Sequence, residues 1–112
     1  MRNDPTQHLP LHPLGFRVLM VLSQGPSFGT EIVRRIEEEE STLRIYPANL
    51  FRRIRDLLAD DLLEECRGPK GCDPRRSYVR LTASGEAVLR AEARRLQQIV
   101  KDARGLDLLE DV

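Results

Sequence analysis

The side chains best equipped for chemistry are basic and clustered. Asn49, Arg52, Arg53 and Arg55 fall within one short segment, and Lys70, Arg75 and Arg76 follow in a stretch rich in glycine and proline. Guanidinium and carboxamide groups donate paired hydrogen bonds, so they suit phosphate oxygens and purine edges. Other chemistries lack their residues. His8 and His12 are separated by Pro10 and have no third ligand nearby, which argues against a metal site. No nucleophile elbow, phosphate loop or acid–base pair is present. Glu37 to Glu40, and Asp60, Asp61, Glu64 and Glu65, read as solvated faces. The sequence therefore predicts neither an enzyme nor a bound cofactor.

Cys66 and Cys72 bracket the glycine-rich stretch. A zinc site would need two more ligands than that stretch offers. The reading taken is a pair of reduced thiols, with a hairpin disulfide as the redox alternative.

The chain has 112 residues and zero formal net charge, which at first sight argues against a nucleic-acid binder. The distribution says otherwise. Residues 42–80 carry nine basic and six acidic groups, a local +3, which the remaining residues offset. Within Arg67 to Arg80 the balance is five basic to one acidic. The longest unbroken apolar run is the five residues Val18 to Leu22. A membrane span needs ~20 and a signal-peptide core ~7–15, so a cytoplasmic protein with no membrane partner is expected.

These groups need elements to position them. Residues 1–13 hold three prolines and little periodicity, and read as a flexible arm. The spacing of Leu14, Val18, Leu19, Val21 and Leu22 predicts a helix ending at Gln24-Gly25-Pro26. Ser27 is placed to cap a second helix running to about Glu40, with Ile32, Val33 and Ile36 inward. Its glutamates oppose the macrodipole, which predicts fraying relieved by Arg34 and Arg35. Thr42 to Tyr46 alternates apolar and polar residues and reads as a small strand.

Pro47 suits the first position of a third helix running to about Asp60. On a wheel of ~100° per residue, Leu50, Phe51, Ile54, Leu57 and Leu58 form a core seam. Ala48, Asn49, Arg52, Arg55 and Asp56 lie opposite, with Arg53 at one edge. Small Ala48 permits close approach and the arginines supply donors, as a helix entering a DNA major groove requires. Asp56 could accept from cytosine, but a pair with Arg52 or Arg53 is the expected use. Two apolar-rich segments, Leu62 to Arg67 and Ser77 to Leu81, then frame a hairpin with a basic tip.

Thr82 caps a last helix that ends near Arg104-Gly105. Leu89, Ala93, Leu96, Val100 and Ala103 are spaced as a short heptad seam. A helix of ~22 residues spans ~33 Å, more than so small a domain can cover, so pairing with another chain is expected. The first helix is the expected second contributor.

Three segments resemble the PadR family of bacterial transcriptional regulators. Gly25-Pro26-Ser27-Phe28-Gly29-Thr30-Glu31-Ile32 is similar to its GP-x-HGYEI signature. Pro47-Ala48-Asn49-Leu50-Phe51-Arg52-Arg53-Ile54-Arg55-Asp56-Leu57 is similar to its PGTLYPALHRL helix. Arg75-Arg76-Ser77-Tyr78-Val79-Arg80-Leu81-Thr82-Ala83-Ser84-Gly85 is similar to its RKYYRLTEAG junction. Departures are Phe28, Thr30, Phe51-Arg52, and Asp61 where the family usually has Gly.

The resemblance implies a mainly α fold with a small β-hairpin wing: a winged helix-turn-helix over residues 14–81, a dimerisation helix over 82–104, and an acidic tail over 105–112. It further implies a homodimer on a pseudo-palindromic double-stranded DNA operator, acting as a repressor released by a small hydrophobic effector. Asn49, Arg52, Arg53 and Arg55 would face DNA, Tyr46 would offer its hydroxyl to a phosphate, and Lys70, Arg75 and Arg76 would hold phosphates from the wing. The alternative is a winged helix that binds protein instead of DNA.

Overall fold

The computed structural model describes residues 4–109. A short 3₁₀ turn, Pro5–His8, precedes α1 (Pro13–Leu22), β1 (Ser27–Phe28), α2 (Gly29–Glu39), α3 (Pro47–Ala59), β2 (Leu63–Cys66), β3 (Tyr78–Leu81) and α4 (Ala83–Gly105). The three strands form one antiparallel sheet in the order β1-β3-β2. The fold is mainly helical with a hairpin wing, as the sequence resemblance implies.

Local chemistry explains the boundaries. Pro13 and Pro47 occupy helix starts, where a missing N–H costs nothing. His12 Nδ1 accepts the Leu14 N–H at 3.0 Å and so caps α1. Gly25, at φ 136°, turns the chain after α1 with a backbone that side-chain-bearing residues rarely adopt. Thr82 Oγ1 accepts the Gly85 N–H at 2.9 Å and starts α4.

One continuous core joins the elements. Val18 and Leu19 of α1, Ile32 and Ile36 of α2, Leu50 of α3, Leu62 and Leu63 at β2, and Val88 of α4 are all buried within it. Burial of apolar surface from the four helices and from β2 and β3 in one cluster is the main force holding α3 against α1 and α2.

Several expectations are corrected. Thr42 to Tyr46 is not a strand. Leu43 and Ile45 do turn inward, but the Ile45 N–H is taken at 2.9 Å by the Glu37 carboxylate and the Leu43 N–H at 2.9 Å by the Glu40 carbonyl. With those donors satisfied locally, no strand pairing is needed. The third strand is instead Ser27–Phe28, laid against Val79 and Tyr78. Ser27 is thus a buried strand residue and not a cap; Phe28 occupies the position before α2.

The glutamates closing α2 do more than face water. Besides the Glu37 contact, Glu40 pairs with Arg17 of α1 at 2.6 Å, Arg34 bridges Glu31 and Glu38, and Arg35 meets Gln24. Residues 4–13 of the expected arm are docked: Leu9 and Leu11 pack on the core, and the Leu11 N–H donates to Glu92 of α4. Proline density opposes regular helix but not packing. Glu110 and Asp111 of the acidic tail lie outside the described residues, as do residues 1–3.

Candidate nucleic-acid interface

Helix α3 buries Leu50, Ile54 and Leu57 and turns its other side outward. Ala48, Asn49, Arg52, Arg55 and Asp56 are all exposed on that side. Arg53 lies at the edge, its side chain 22 % exposed and 3.5 Å from Asp56, so Arg53 is the partner of the intrahelical pair. Arg52 and Arg55 therefore stand as outward guanidinium groups on successive turns.

Tyr46 occupies the position before α3, in an extended conformation and 73 % exposed. Its backbone carbonyl accepts the Asn49 N–H at 2.9 Å, which ties the start of the helix to it. Tyr46 and Asn49 also border a groove of about 650 Å³ between α1, the α2–α3 connection and α4, whose lining includes Leu14, Phe16, Met20 and Leu96. No local sequence signal marks this groove, because its walls come from segments far apart in the chain.

The wing tip follows β2. Its strands pair Glu64 with Arg80 and Cys66 with Tyr78, and the first pair closes an ion pair at 2.7 Å. Tyr78 meets Phe28 edge-on at 5.1 Å between ring centroids, and the Arg76 guanidinium lies 4.4 Å over the Phe28 ring. That stacking holds one basic wing residue over β1. Arg75 is tied to Asp73 at 3.2 Å, and hydrogen bonds from the Arg75 side chain and backbone hold the Asp73 carboxyl below its ordinary range. Lys70 is exposed at the tip. Cys66 and Cys72 are both free thiols.

The Glu31 carboxyl at the start of α2 is held below its ordinary range chiefly by the hydrogen bond from Arg34, with a further contribution from Arg76 across the wing. Arg76, stacked over Phe28 just before α2, lies beside the start of that helix, while α3 presents Arg52 and Arg55 on its outer side.

Periodicity also misplaces Phe51. Expected in the core seam, it is 44 % exposed. Its wheel position lies at the seam's edge, and its ring leans on Gly29, where a Cβ would come within 2.5 Å of Phe51 Cε1. Leu58, the other edge residue, is only partly buried.

Residues 18–91, from the middle of α1 to the first half of α4, match the family described as "Transcriptional regulator PadR-like family". The chain belongs to that family. It is accordingly a transcriptional regulator and not an enzyme. Solved structures of transcriptional regulators share the fold at low identity. A PadR family transcription regulator from Clostridium difficile has a TM-score of 0.73 at 16% identity, covering 85% of this chain and 98% of that one. A PadR-like transcription factor from Bacteroides fragilis has a TM-score of 0.68 at 22% identity, covering 83% and 88%. A transcriptional regulator from Clostridium thermocellum has a TM-score of 0.71 at 22% identity, covering 82% and 87%. No curated protein sequence matches this PadR-like chain. Among its described residues, no helix is long and apolar enough to cross a membrane.

Proposed function

We propose that this PadR-like regulator binds a pseudo-palindromic DNA operator as a homodimer and represses transcription until a small apolar effector releases it. The observation that carries this reading is the outer side of α3, where Arg52 and Arg55 stand exposed beside small Ala48 and polar Asn49. Arginine and asparagine discriminate guanine and adenine by paired hydrogen bonds, each worth ~1–3 kcal/mol. Arg53 assists from the edge, Tyr46 gives a hydroxyl to a phosphate, and Lys70, Arg75 and Arg76 hold phosphates from the wing.

The dimer rests on α4. Leu89, Ala93, Leu96, Val100 and Ala103 form its proposed seam, of which Val100 is 44 % exposed and Leu89 packs partly on its own protomer. Ile99 at 47 % and Leu106 at 71 % exposure extend the apolar surface beyond that seam. The groove beside Tyr46 and Asn49 supports an effector site, because an occupant there touches the start of the reading helix and α4 together.

Selection of bound duplexes from a random pool tests the reading. The expected product is a palindrome with half-sites about one helical turn apart, whose binding weakens steeply with salt. Recovery of no duplex, or affinity indifferent to salt, overturns it in favour of a protein-binding winged helix.

A further inference from the structure

We propose that Phe51 reads a thymine by apolar contact with its 5-methyl group. This rests on the DNA-binding reading above and adds a base that the arginines do not specify.

Three observations carry it. Phe51 is the large apolar side chain that α3 leaves exposed, at 44 %, while Leu50, Ile54 and Leu57 are buried. Of its neighbours one turn away on the helix, Ile54 is buried while Pro47, Ala48 and Arg55 are exposed, so an apolar edge adjoins a guanidinium. The ring is also held in place. A Cβ at Gly29 would lie 2.5 Å from Phe51 Cε1 and 3.2 Å from Cζ, so only the bare backbone at the start of α2 admits the ring there.

The chemistry of the groove selects the occupant. Among the unmodified bases, the major-groove edge offers donors and acceptors that suit Arg52, Arg55 and Asn49, and one apolar group, the thymine methyl. A phenyl ring in that groove cannot replace the hydrogen bonds of water around polar base edges. It gains free energy only against the methyl. Gly29 fixes where along the helix that contact falls: at the α2 side of the reading face, away from the edge where Asn49 borders the groove.

Deoxyuridine isolates the methyl group. The test uses the duplex recovered from the random pool, with each half-site thymine replaced in turn by deoxyuridine. The wild-type protein should lose about fourfold in affinity or more at one position per half-site, the effect of one buried methyl. With Phe51→Ala that difference between thymine and deoxyuridine should vanish. With Phe51→Leu, which keeps apolar bulk against Gly29 should the alanine protein fail to fold, it should shrink. A half-site without thymine, a bound duplex insensitive to every replacement, or a penalty unchanged in both variants overturns the assignment while leaving DNA binding intact. Recovery of no duplex overturns the DNA-binding reading and this contact with it.

Discussion

Glu92, 1 % exposed in the middle of α4, accepts the backbone N–H of Leu11 at 3.0 Å. The same carboxylate is paired with Arg95, whose Nη2 lies 2.9 Å from Oε2. A buried charge without partners is costly; this one has a cation and a backbone donor. It thereby joins the residues before α1 to the helix that follows the wing.

That pair makes stability depend on acid. The hydrogen bond from Arg95 chiefly, and that from Leu11, hold the Glu92 carboxyl below its ordinary value of 4.5. A depressed folded value contributes stability that is present above 4.5 and lost as pH falls through the folded value. Glu92→Gln should therefore flatten the acid side of the stability profile. At neutral pH it should cost about 1–2 kcal/mol, since Arg95 keeps access to water. Melting curves from pH 7 to 3 measure both; an unchanged acid limb refutes the role.

Gly85 reverses the usual effect of alanine in a helix. In an open helix Gly→Ala stabilises by about 1 kcal/mol. Here a Cβ would sit 2.0 Å from the Leu62 carbonyl oxygen. Gly85→Ala should instead destabilise by about 1–3 kcal/mol, because backbone must shift to admit the methyl. Thr82 secures the same junction, donating to the Asp61 carbonyl at 2.7 Å while capping α4. Thr82→Ala should cost about 1 kcal/mol and Thr82→Ser much less. Thermal denaturation of the three variants checks the ordering.

The particular residues show why some features were legible and others not. Pro47, Leu50, Ile54 and Leu57 announce α3 because helix starts and periodic burial are local signals. Thr42 to Tyr46 has the alternation of a strand, yet the donor of Ile45 is claimed by Glu37, a side-chain partner that no period encodes. A two-residue strand such as Ser27–Phe28 is too short to carry a period at all. Phe51 looks like core on a wheel because the wheel knows nothing of Gly29. Glu92 sits among arginines in a charged helix, and only the docking of Leu11 buries it. Of the candidate site, the exposure of Asn49, Arg52 and Arg55 follows from helix phase, whereas the groove beside Tyr46 depends on how distant segments meet.

Asp61 stands at φ 59°, in the left-handed region, at the turn into β2. This accounts physically for the glycine of the resembling family motif. Aspartate tolerates this conformation better than branched residues, which pay about 1–2 kcal/mol for it. Asp61→Gly should change stability by less than about 0.5 kcal/mol, strain relief being offset by a freer unfolded chain. Asp61→Val should destabilise by more than about 1 kcal/mol. Denaturant unfolding of both variants distinguishes this from a side-chain role, which would penalise glycine and valine alike.

The wing makes a separate prediction about nucleic acid. On the proposed reading, Arg75 and Arg76 contact phosphates and carry no sequence information. Arg75→Ala with Arg76→Ala should weaken binding to operator and random duplex by similar factors and lower the salt slope by about two. Arg52→Ala should instead weaken the operator more than random duplex, relaxing one base position. Fluorescence anisotropy at several salt concentrations separates the two classes, and a wing variant that loses only operator binding contradicts the assignment.

The second half of α4 should matter for assembly and not for folding. The helix runs 23 residues, about 35 Å, but its buried residues are Gly85, Val88 and Glu92, all in the first half. Ile99 and Val100 are 47 % and 44 % exposed, so a charge there strains nothing within the protomer. In a helix pair the same charge would be driven into an apolar seam, at a cost of several kcal/mol. On the proposed reading, Ile99→Glu with Val100→Glu should therefore convert the proposed dimer to a monomer by sedimentation while leaving the helical circular dichroism of the folded protomer. A palindromic operator should then bind far more weakly, with a single half-site much less affected, because only the palindrome uses both reading helices at once. A double variant that still sediments as a dimer would place the interface elsewhere on the chain.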